Sequence, residues 1–183
     1  MIYSPGVILK KMDRKIVAII QARMGSKRFP GKMLKRLNGY PILEWVITRL
    51  KKAKHISQII VATSIRSQDD KIEKISNDND VKSFRGDEND VLSRFCEAAK
   101  QSNADWVVRV CADNPFVDPF EVDRLIEFYD KNDCDYACNH MNKLNSGYAD
   151  GFGAEILSSK LLVELNKNAS KDDEIEHVKI GRA

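Results

Sequence analysis

The sequence lacks any long apolar stretch, and nothing in it approaches the roughly 18 uninterrupted apolar residues that a membrane-spanning helix needs. It has only four cysteines in 183 residues, too few for a disulfide framework, so we expect reduced thiols and a cytoplasmic location. Internal repeats and low-complexity tracts are lacking as well. We therefore do not expect a membrane protein, a secreted domain stabilised by disulfides or a repeat array.

The sequence does have the composition of an ordinary folded domain, with 43% hydrophobic and 31% charged residues. A chain of this length can bury about two-thirds of its unfolded surface, so it needs neither a metal nor a disulfide for stability. We predict a flexible leader at residues 1–14 and one domain at residues 15–183.

The small net charge of +3 conceals an uneven distribution. Residues 21–54 contain ten Lys or Arg and one acid, whereas residues 69–90 contain eight acids and four Lys or Arg. A basic N-terminal third suits a polyanionic ligand. The alternative, that Lys51, Lys52 and Lys54 belong to a solvated helix face, stays open. Nucleic-acid binding is disfavoured, because aromatic residues do not alternate with the cations.

Short β-rich apolar runs alternate with segments of helical periodicity along the chain. Strands are predicted at residues 16–20, 58–63, 81–84, 105–112, 134–138 and 152–157. Helices are predicted to follow Pro41, Asp69, Asp87, Asp118 and Ser158. Such alternation is typical of a three-layer α/β/α fold with a mostly parallel sheet. In such sheets ligands bind beyond the carboxyl ends of the strands.

The segment Gln21–Lys32, QARMGSKRFPGK, follows the first predicted strand and concentrates cations among glycines. Glycines let backbone N–H groups approach phosphate oxygens, and the cations neutralise their charge. The spacing is not that of a Walker A loop, since Gly25 and Gly31-Lys32 are one residue too far apart and Met33 follows where Ser or Thr should bind magnesium. We predict a loop that holds a triphosphate; a connection that is merely basic is the alternative.

Asp113 follows the strand predicted at residues 105–112, at the same edge of the sheet. A carboxylate there suits Mg²⁺, which takes one or two carboxylates together with substrate phosphates. An aspartate that caps the turn before Pro115 fits the spacing equally well.

Four segments in this order resemble the cytidylyltransferase family: QARMGSKRFPGKML at 21–34, VATS at 61–64, FRGDENDVLSRF at 84–95 and VVRVCADNPFVDP at 107–119. The resemblance extends over roughly residues 15–156. Its spore-coat polysaccharide biosynthesis branch is the most similar, and this branch is related to the acylneuraminate and 3-deoxy-manno-octulosonate cytidylyltransferases.

The resemblance implies a Rossmann-like nucleotide-diphospho-sugar transferase fold. It also implies a reaction that transfers CMP from CTP to an acidic or modified sugar, with release of pyrophosphate, for surface polysaccharide or glycan synthesis. The cofactor implied is Mg²⁺, and a homodimer is allowed. The residues implied to bind nucleotide are Ala22, Arg23, Gly25, Ser26, Lys32, Arg85 and Gly86. Arg23, Lys32 and Asp113 would be catalytic, with Asp113 as the metal ligand.

The chain departs from the family near residue 150. The family segment PDGLDVEV corresponds here to ADGFGAEI at 149–156, which keeps Asp150 and Glu155 but has Gly153 in place of an aspartate. Asp150 and Glu155 would contact the acceptor or a second metal. Family members continue well beyond the EHV at 176–178, so truncation at the C-terminus is expected.

Three alternatives stay open on sequence alone. The nucleotide could be another than CTP, as in guanylyl transfer to a sugar phosphate. The chain could be a non-catalytic nucleotide-binding subunit, which Gly153 favours. The spacing Cys134-x₃-Cys138-x-His140 could place zinc ligands on one strand face, although structural zinc needs a fourth ligand.

Overall fold

The apolar run IVAII forms the central strand of the sheet, β1 (Ile16–Gln21), in the computed structural model, which describes residues 13–25, 29–140 and 152–169. Alternate side chains of this strand enter two different cores. Ile16, Ala18 and Ile20 face one side of the sheet and Val17 and Ile19 face the other, all with no exposed surface. A strand covered on both faces needs a continuous apolar run, as the sequence has.

Five further strands join β1 in the main sheet: β4 (Gln58–Ser64), β5 (Lys82–Gly86), β6 (Trp106–Cys111), β7 (Tyr136–Cys138) and β8 (Glu155–Ser158). Their order across the sheet is β5-β4-β1-β6-β8-β7. β1, β4, β5 and β6 pair in parallel, and β8 pairs antiparallel with both β6 and β7. The prediction of a mostly parallel sheet is confirmed.

The helices cover both faces of this sheet. They are α1 (Ile42–Leu50), α2 (Asp70–Asp78), α3 (Val91–Gln101), α4 (Pro119–Lys131) and α5 (Ser159–Asn168). Buried residues of α1, α2 and α4 belong to one core, and those of α3 and α5 to the other. The predicted three-layer α/β/α architecture is therefore correct. Among the described residues no helix is long and apolar enough to cross a membrane.

Local capping signals fix several helix starts. Asp118 accepts hydrogen bonds from the backbone N–H groups of Phe120 and Glu121, with Pro119 in the first turn, and Ser158 accepts one from Leu161. The prediction for α3 was wrong by one turn. Its N-cap is Asp90, which accepts from the N–H of Ser93 at 2.8 Å, because Asp87 instead closes a turn with Asn89 and Asp90.

A small hairpin precedes α1. It pairs β2 (Arg36–Leu37) with β3 (Tyr40–Pro41) through Asn38-Gly39, whose φ angles of 49° and 86° suit this dipeptide in a tight turn. The hairpin also contacts α1. Trp45 is half-buried and donates its indole N–H to the carbonyl of Leu37 at 2.7 Å, whereas Leu43 and Ile47 are buried in the core.

Two predicted strands are shorter than expected. The segment at 134–138 forms a strand only over Tyr136–Cys138, and the one at 152–157 begins at Glu155. All four cysteines are free thiols, as expected. No group of three or more potential metal-ligating side chains occurs in the described part of the chain, so Cys134, Cys138 and His140 do not form the zinc site considered above.

Candidate functional site

One edge of the sheet gathers most of the residues predicted to act in a site. β1, β4, β5 and β6 run parallel, so their carboxyl ends lie at this edge, and the antiparallel β8 begins there. The chain leaves β1 with β4 on one side and β6 on the other. This point, where successive connections diverge, is where open α/β sheets bind ligands.

Lys32 and Asp113 meet at this edge. The ammonium of Lys32 donates to Oδ2 of Asp113, and their side chains are 24% and 41% exposed. Lys32 begins a short 3-10 helix (Lys32–Leu34) after Gly31, whose φ of 68° is left-handed and favours glycine. The half-exposed pair keeps a cation and a carboxylate together where solvent and ligands can reach them.

Asn114 connects Asp113 to the start of β8. Its side-chain amide donates to the carbonyl of Gly153 at 3.2 Å, and its backbone N–H donates to the carbonyl of Cys111 at 3.1 Å. Asp113 thus stands in a turn that closes β6, and its side chain pairs with Lys32 in the candidate site.

The loop after β1 is anchored by Asp69, a fully buried carboxylate. One oxygen of Asp69 accepts the backbone N–H of Met24 at 2.8 Å. The other accepts both the hydroxyl and the backbone N–H of Ser64, at the end of β4. A buried carboxylate is tolerated only when hydrogen bonds replace its lost hydration. Asp69 therefore ties the loop to the neighbouring strand end.

Arg23 and Arg94 converge on one carbonyl oxygen. Nη1 of Arg94 donates to the carbonyl of Glu88 at 2.8 Å and also to that of Asp87, and Nη1 of Arg23 donates to the Glu88 carbonyl at 3.4 Å. Arg94 is only 1% exposed, and its Nε and Nη2 have no hydrogen-bond partner. Burial lowers the pKa of Arg94 and the nearby charge of Arg23 lowers it further, although an arginine stays protonated at neutral pH.

Two of the predicted glycines are closely packed at this edge. A Cβ on Gly25 would lie 2.7 Å from a carboxylate oxygen of Glu88. A Cβ on Gly86 would lie 2.8 Å from Cγ of Arg94 and 3.2 Å from the ring of Phe84. Gly25 lets the loop after β1 approach Glu88, and Gly86 lets the end of β5 approach Arg94 and Phe84.

Arg85, predicted to lie near the base and ribose, binds four protein groups. Its guanidinium donates to the carbonyls of Ser64 and Arg66, each at 2.9 Å, and pairs with Asp70 at 2.7 Å and Glu73 at 2.9 Å. These contacts join β5 to the end of β4 and to α2. A contact between Arg85 and a nucleotide remains a prediction.

Glu155 belongs to a second, more enclosed cluster of polar groups. Both of its carboxylate oxygens accept from Nη1 of Arg109, at 3.0 and 2.8 Å, and Nη2 of Arg109 donates to the side chain of Gln21 at 3.1 Å. Arg109 and Glu155 are 12% and 14% exposed. Because the cluster connects the ends of β1 and β6 with the start of β8, it lies at the same edge as Lys32 and Asp113.

His140 takes up the space beside Gly153. A Cβ on Gly153 would lie 2.2 Å from Cβ of His140 and 2.5 Å from its Nδ1. The ring approaches Glu155, with Nε2 3.6 Å from Oε1, and Nδ1 is buried without a partner. An imidazole thus stands where a side chain at position 153 would stand.

Most of the predicted site residues lie at this edge. Ala22 is 1% exposed and continues the pairing of β1 with β4 through its N–H to the carbonyl of Ala62. Ser26 and Asp150 lie outside the described residues. The residues missed from sequence are Asp69, Glu88, Arg94 and His140. For Arg94 a signal was available, since a charged residue stands three positions after Val91 on the inward face of α3.

The fold and this edge together define a nucleotidyltransferase-type α/β domain, with a glycine- and cation-rich loop after the central strand and an aspartate after β6. The cytidylyltransferase family model matches residues 17–178. The chain belongs to the cytidylyltransferase family.

Relatives of known sequence agree with this placement. The chain is 40% identical over 164 residues to an uncharacterized protein of Methanocaldococcus jannaschii and 32% identical over 168 residues to the spore coat polysaccharide biosynthesis protein SpsF of Bacillus subtilis. These matches cover 90% and 89% of the chain, and 65% and 68% of the two relatives. A 3-deoxy-manno-octulosonate cytidylyltransferase of Trichlorobacter lovleyi is 39% identical over 113 residues, with 62% of this chain and 44% of the relative covered.

Solved structures show the same fold. A cytidylyltransferase from Leptospira borgpetersenii superposes with a TM-score of 0.84 at 34% identity, over 90% of this chain and 69% of the other. A CMP:2-keto-3-deoxy-manno-octonic acid synthetase complexed with CTP superposes with a TM-score of 0.71 at 18% identity, over 88% of this chain and 82% of the other. The second likeness concerns the fold alone.

Proposed function

We propose that the protein transfers CMP from CTP to an acidic or modified sugar and releases pyrophosphate, as a step in surface polysaccharide or glycan synthesis. The observation that carries the proposal is the contact of Lys32, in the loop that also contains Arg23, with Asp113 at the switch point of the sheet. The family and the relatives named for spore coat polysaccharide and 3-deoxy-manno-octulosonate support cytidine and a sugar as the substrates.

In the proposed reaction a sugar oxygen attacks the α-phosphorus in line. The new oxygen–phosphorus bond forms, the bond to the bridging oxygen of pyrophosphate breaks, and the sugar hydroxyl transfers its proton to water. Arg23 and Lys32 would bind the triphosphate and stabilise the charge that develops on its oxygens. Ala22, Gly25 and Gly86 would allow the backbone to approach the nucleotide, and Ser26 and Arg85 would complete its binding.

Asp113 is proposed to hold the divalent cation, which we propose is Mg²⁺. Its carboxylate is a hard oxygen ligand that is 41% exposed at the ligand-binding edge. Mg²⁺ takes one or two carboxylates and completes its coordination with substrate phosphates. When bound, such an ion neutralises phosphate charge and polarises the phosphorus that is attacked. Lys32, paired with Asp113 here, would then turn to the phosphates.

A screen of nucleotides and sugars tests the proposal. The protein is incubated with Mg²⁺, each of the four NTPs in turn, and a panel of sugars that includes 3-deoxy-manno-octulosonate and N-acetylneuraminate, while pyrophosphate is measured. Release of pyrophosphate with CTP and a sugar, but not with the other three NTPs, supports the proposal. Release of pyrophosphate with GTP and a sugar phosphate would show guanylyl transfer instead and would overturn the proposal.

A non-catalytic nucleotide-binding subunit is a second candidate function. The observation that favours it is the replacement of the family aspartate by Gly153, whose side-chain space His140 fills. CTP binding without pyrophosphate release for any sugar would support this alternative.

A further inference from the structure

Arg94 is a deeply buried cation at the site edge, and stability alone does not explain its role. Its guanidinium is 1% exposed and leaves Nε and Nη2 without hydrogen bonds. Buried donors without partners cost free energy, and a buried cation costs more. A methionine or leucine at this inward position of α3 would pack without that cost, so a compensating function is expected.

The contacts of Arg94 point to the loop that follows β5. Its Nη1 holds the carbonyls of Asp87 and Glu88, and its stem lies against Gly86. The same Glu88 carbonyl accepts from Arg23 at 3.4 Å. Arg94 therefore helps to hold that carbonyl, and the carbonyl is one of the groups that contact the Arg23 guanidinium.

The charges of the two arginines add a second effect. Two guanidinium groups that donate to one oxygen repel each other, and Arg94 is shielded from the water that would screen the repulsion. An anion bound by Arg23 lowers this repulsion. The buried charge of Arg94 then favours the form of the protein in which Arg23 binds an anionic ligand.

We propose that Arg94 is a positioning residue of the nucleotide site, which sets the orientation of Arg23 through the Glu88 carbonyl and strengthens the binding of the triphosphate without touching it. The inference rests on the proposed function, since it needs a nucleotide at Arg23. The sequence predicts residues that contact the ligand. Arg94 would act on the ligand indirectly, through the loop after β5.

Binding measured on the folded protein tests this role. Calorimetric titrations with CTP and with inorganic tripolyphosphate are compared for the wild type, Arg94→Met and Arg94→Lys, well below the thermal midpoint of each. We expect Arg94→Met to weaken both ligands by about tenfold, since a hydrogen bond to a charged group is typically worth that factor. Arg94→Lys keeps the charge and one donor, so an intermediate affinity is expected. In turnover, KM for CTP should rise more than kcat falls.

Two further variants make the result specific. Gly86→Ala places a Cβ 2.8 Å from Cγ of Arg94 and should displace its stem, with a loss of affinity similar to that of Arg94→Met. Arg124→Met removes an arginine that is 75% exposed on α4 and pairs only with Glu121 among the described residues, and it should leave both affinities unchanged.

The possible outcomes separate this inference from the proposed function. A folded Arg94→Met protein that binds CTP and tripolyphosphate as the wild type does would overturn the inference and leave cytidylyl transfer standing. If Arg94→Met does not fold, wild-type affinity in both Arg94→Lys and Gly86→Ala would overturn it. A wild-type protein that binds neither ligand would overturn both proposals together.

Discussion

Lys32 donates a hydrogen bond to Asp113 across 81 positions of sequence. This ion pair joins the glycine-rich loop after β1 to the turn that closes β6. In this pair each group neutralises the other. In the proposed reaction the cation would bind phosphate oxygens and the carboxylate would bind a divalent ion. The pair would then hold both charges in place before either is used.

Lys32→Ala should raise KM for the nucleotide and lower kcat by about 100-fold, because one preorganised donor to a developing charge is worth at least that factor. Lys35→Ala is the matched control, since Lys35 is exposed just beyond the same loop and lies over the ring of Phe29. Steady-state pyrophosphate release measures both variants. Equal effects of the two substitutions would contradict a specific role of Lys32.

Asp113→Asn should abolish turnover and leave the fold intact. The side chain is 41% exposed, and a solvent-exposed ion pair contributes at most about 1 kcal/mol, so the thermal midpoint should move by no more than about 4 °C. Asp78→Asn, which removes a carboxylate paired with Lys74 on the surface of α2, is the control. Pyrophosphate release measures the loss of turnover, and thermal unfolding measures the stability of the fold. Full activity of Asp113→Asn would show that the metal assignment is wrong.

The fold could be predicted because its signals are local. The run at residues 16–20 requires a strand covered on both faces, and Asp118 and Ser158 start their helices through hydrogen bonds to residues two or three positions away. The error at Asp87 has the same local origin. Asp87 and Asp90 are both good N-caps, and only the turn closed by Asp87 decides that the helix begins after Asp90.

The site was predicted less completely, because its supporting contacts are distant in sequence. Asp69 binds Met24, which is 45 positions away, and no pattern around either residue indicates that contact. His140 and Gly153 meet only because β7 and β8 pair antiparallel. Resemblance to a family indicates which residues contact the ligand, whereas the residues that hold them emerge only from the packing.

Asp69→Ala should lower both stability and nucleotide affinity. It leaves the backbone N–H groups of Met24 and Ser64 without acceptors, which should destabilise the fold by about 2–4 kcal/mol, and it releases the loop that carries Arg23. Urea unfolding and CTP titration measure the two effects.

Asp123→Ala provides a control for a buried carboxylate outside the site. Asp123 is 7% exposed and accepts the N–H groups of Lys54 and His55 at 2.9 and 3.0 Å. This variant should lose comparable stability and keep its affinity for CTP under conditions where it is folded. If Asp69→Ala also kept its affinity, the anchoring of the loop by Asp69 would be irrelevant to binding.

Gly153 and His140 should be coupled in stability. Gly153→Ala brings a Cβ within 2.2 Å of Cβ of His140, a backbone-proximal atom that cannot swing away, so the cost of overpacking should be about 1–3 kcal/mol. His140→Gly removes the clashing atoms. We therefore expect the double variant to be more stable than the sum of the two single changes predicts, in a double-mutant cycle of urea unfolding.

Substitutions at positions 140 and 153 also test whether an aspartate at 153, as in the family pattern, would bind Mg²⁺. Gly153→Asp in the His140→Gly background restores the carboxylate of the family pattern in the space that the imidazole leaves. Carboxylate oxygens are ligands that Mg²⁺ prefers, so Mg²⁺ in the presence of CTP should bind this variant more tightly than His140→Gly alone. Unchanged Mg²⁺ affinity, together with additive stabilities, would mean that the two positions are not exchangeable and that His140 does not take the place of that side chain.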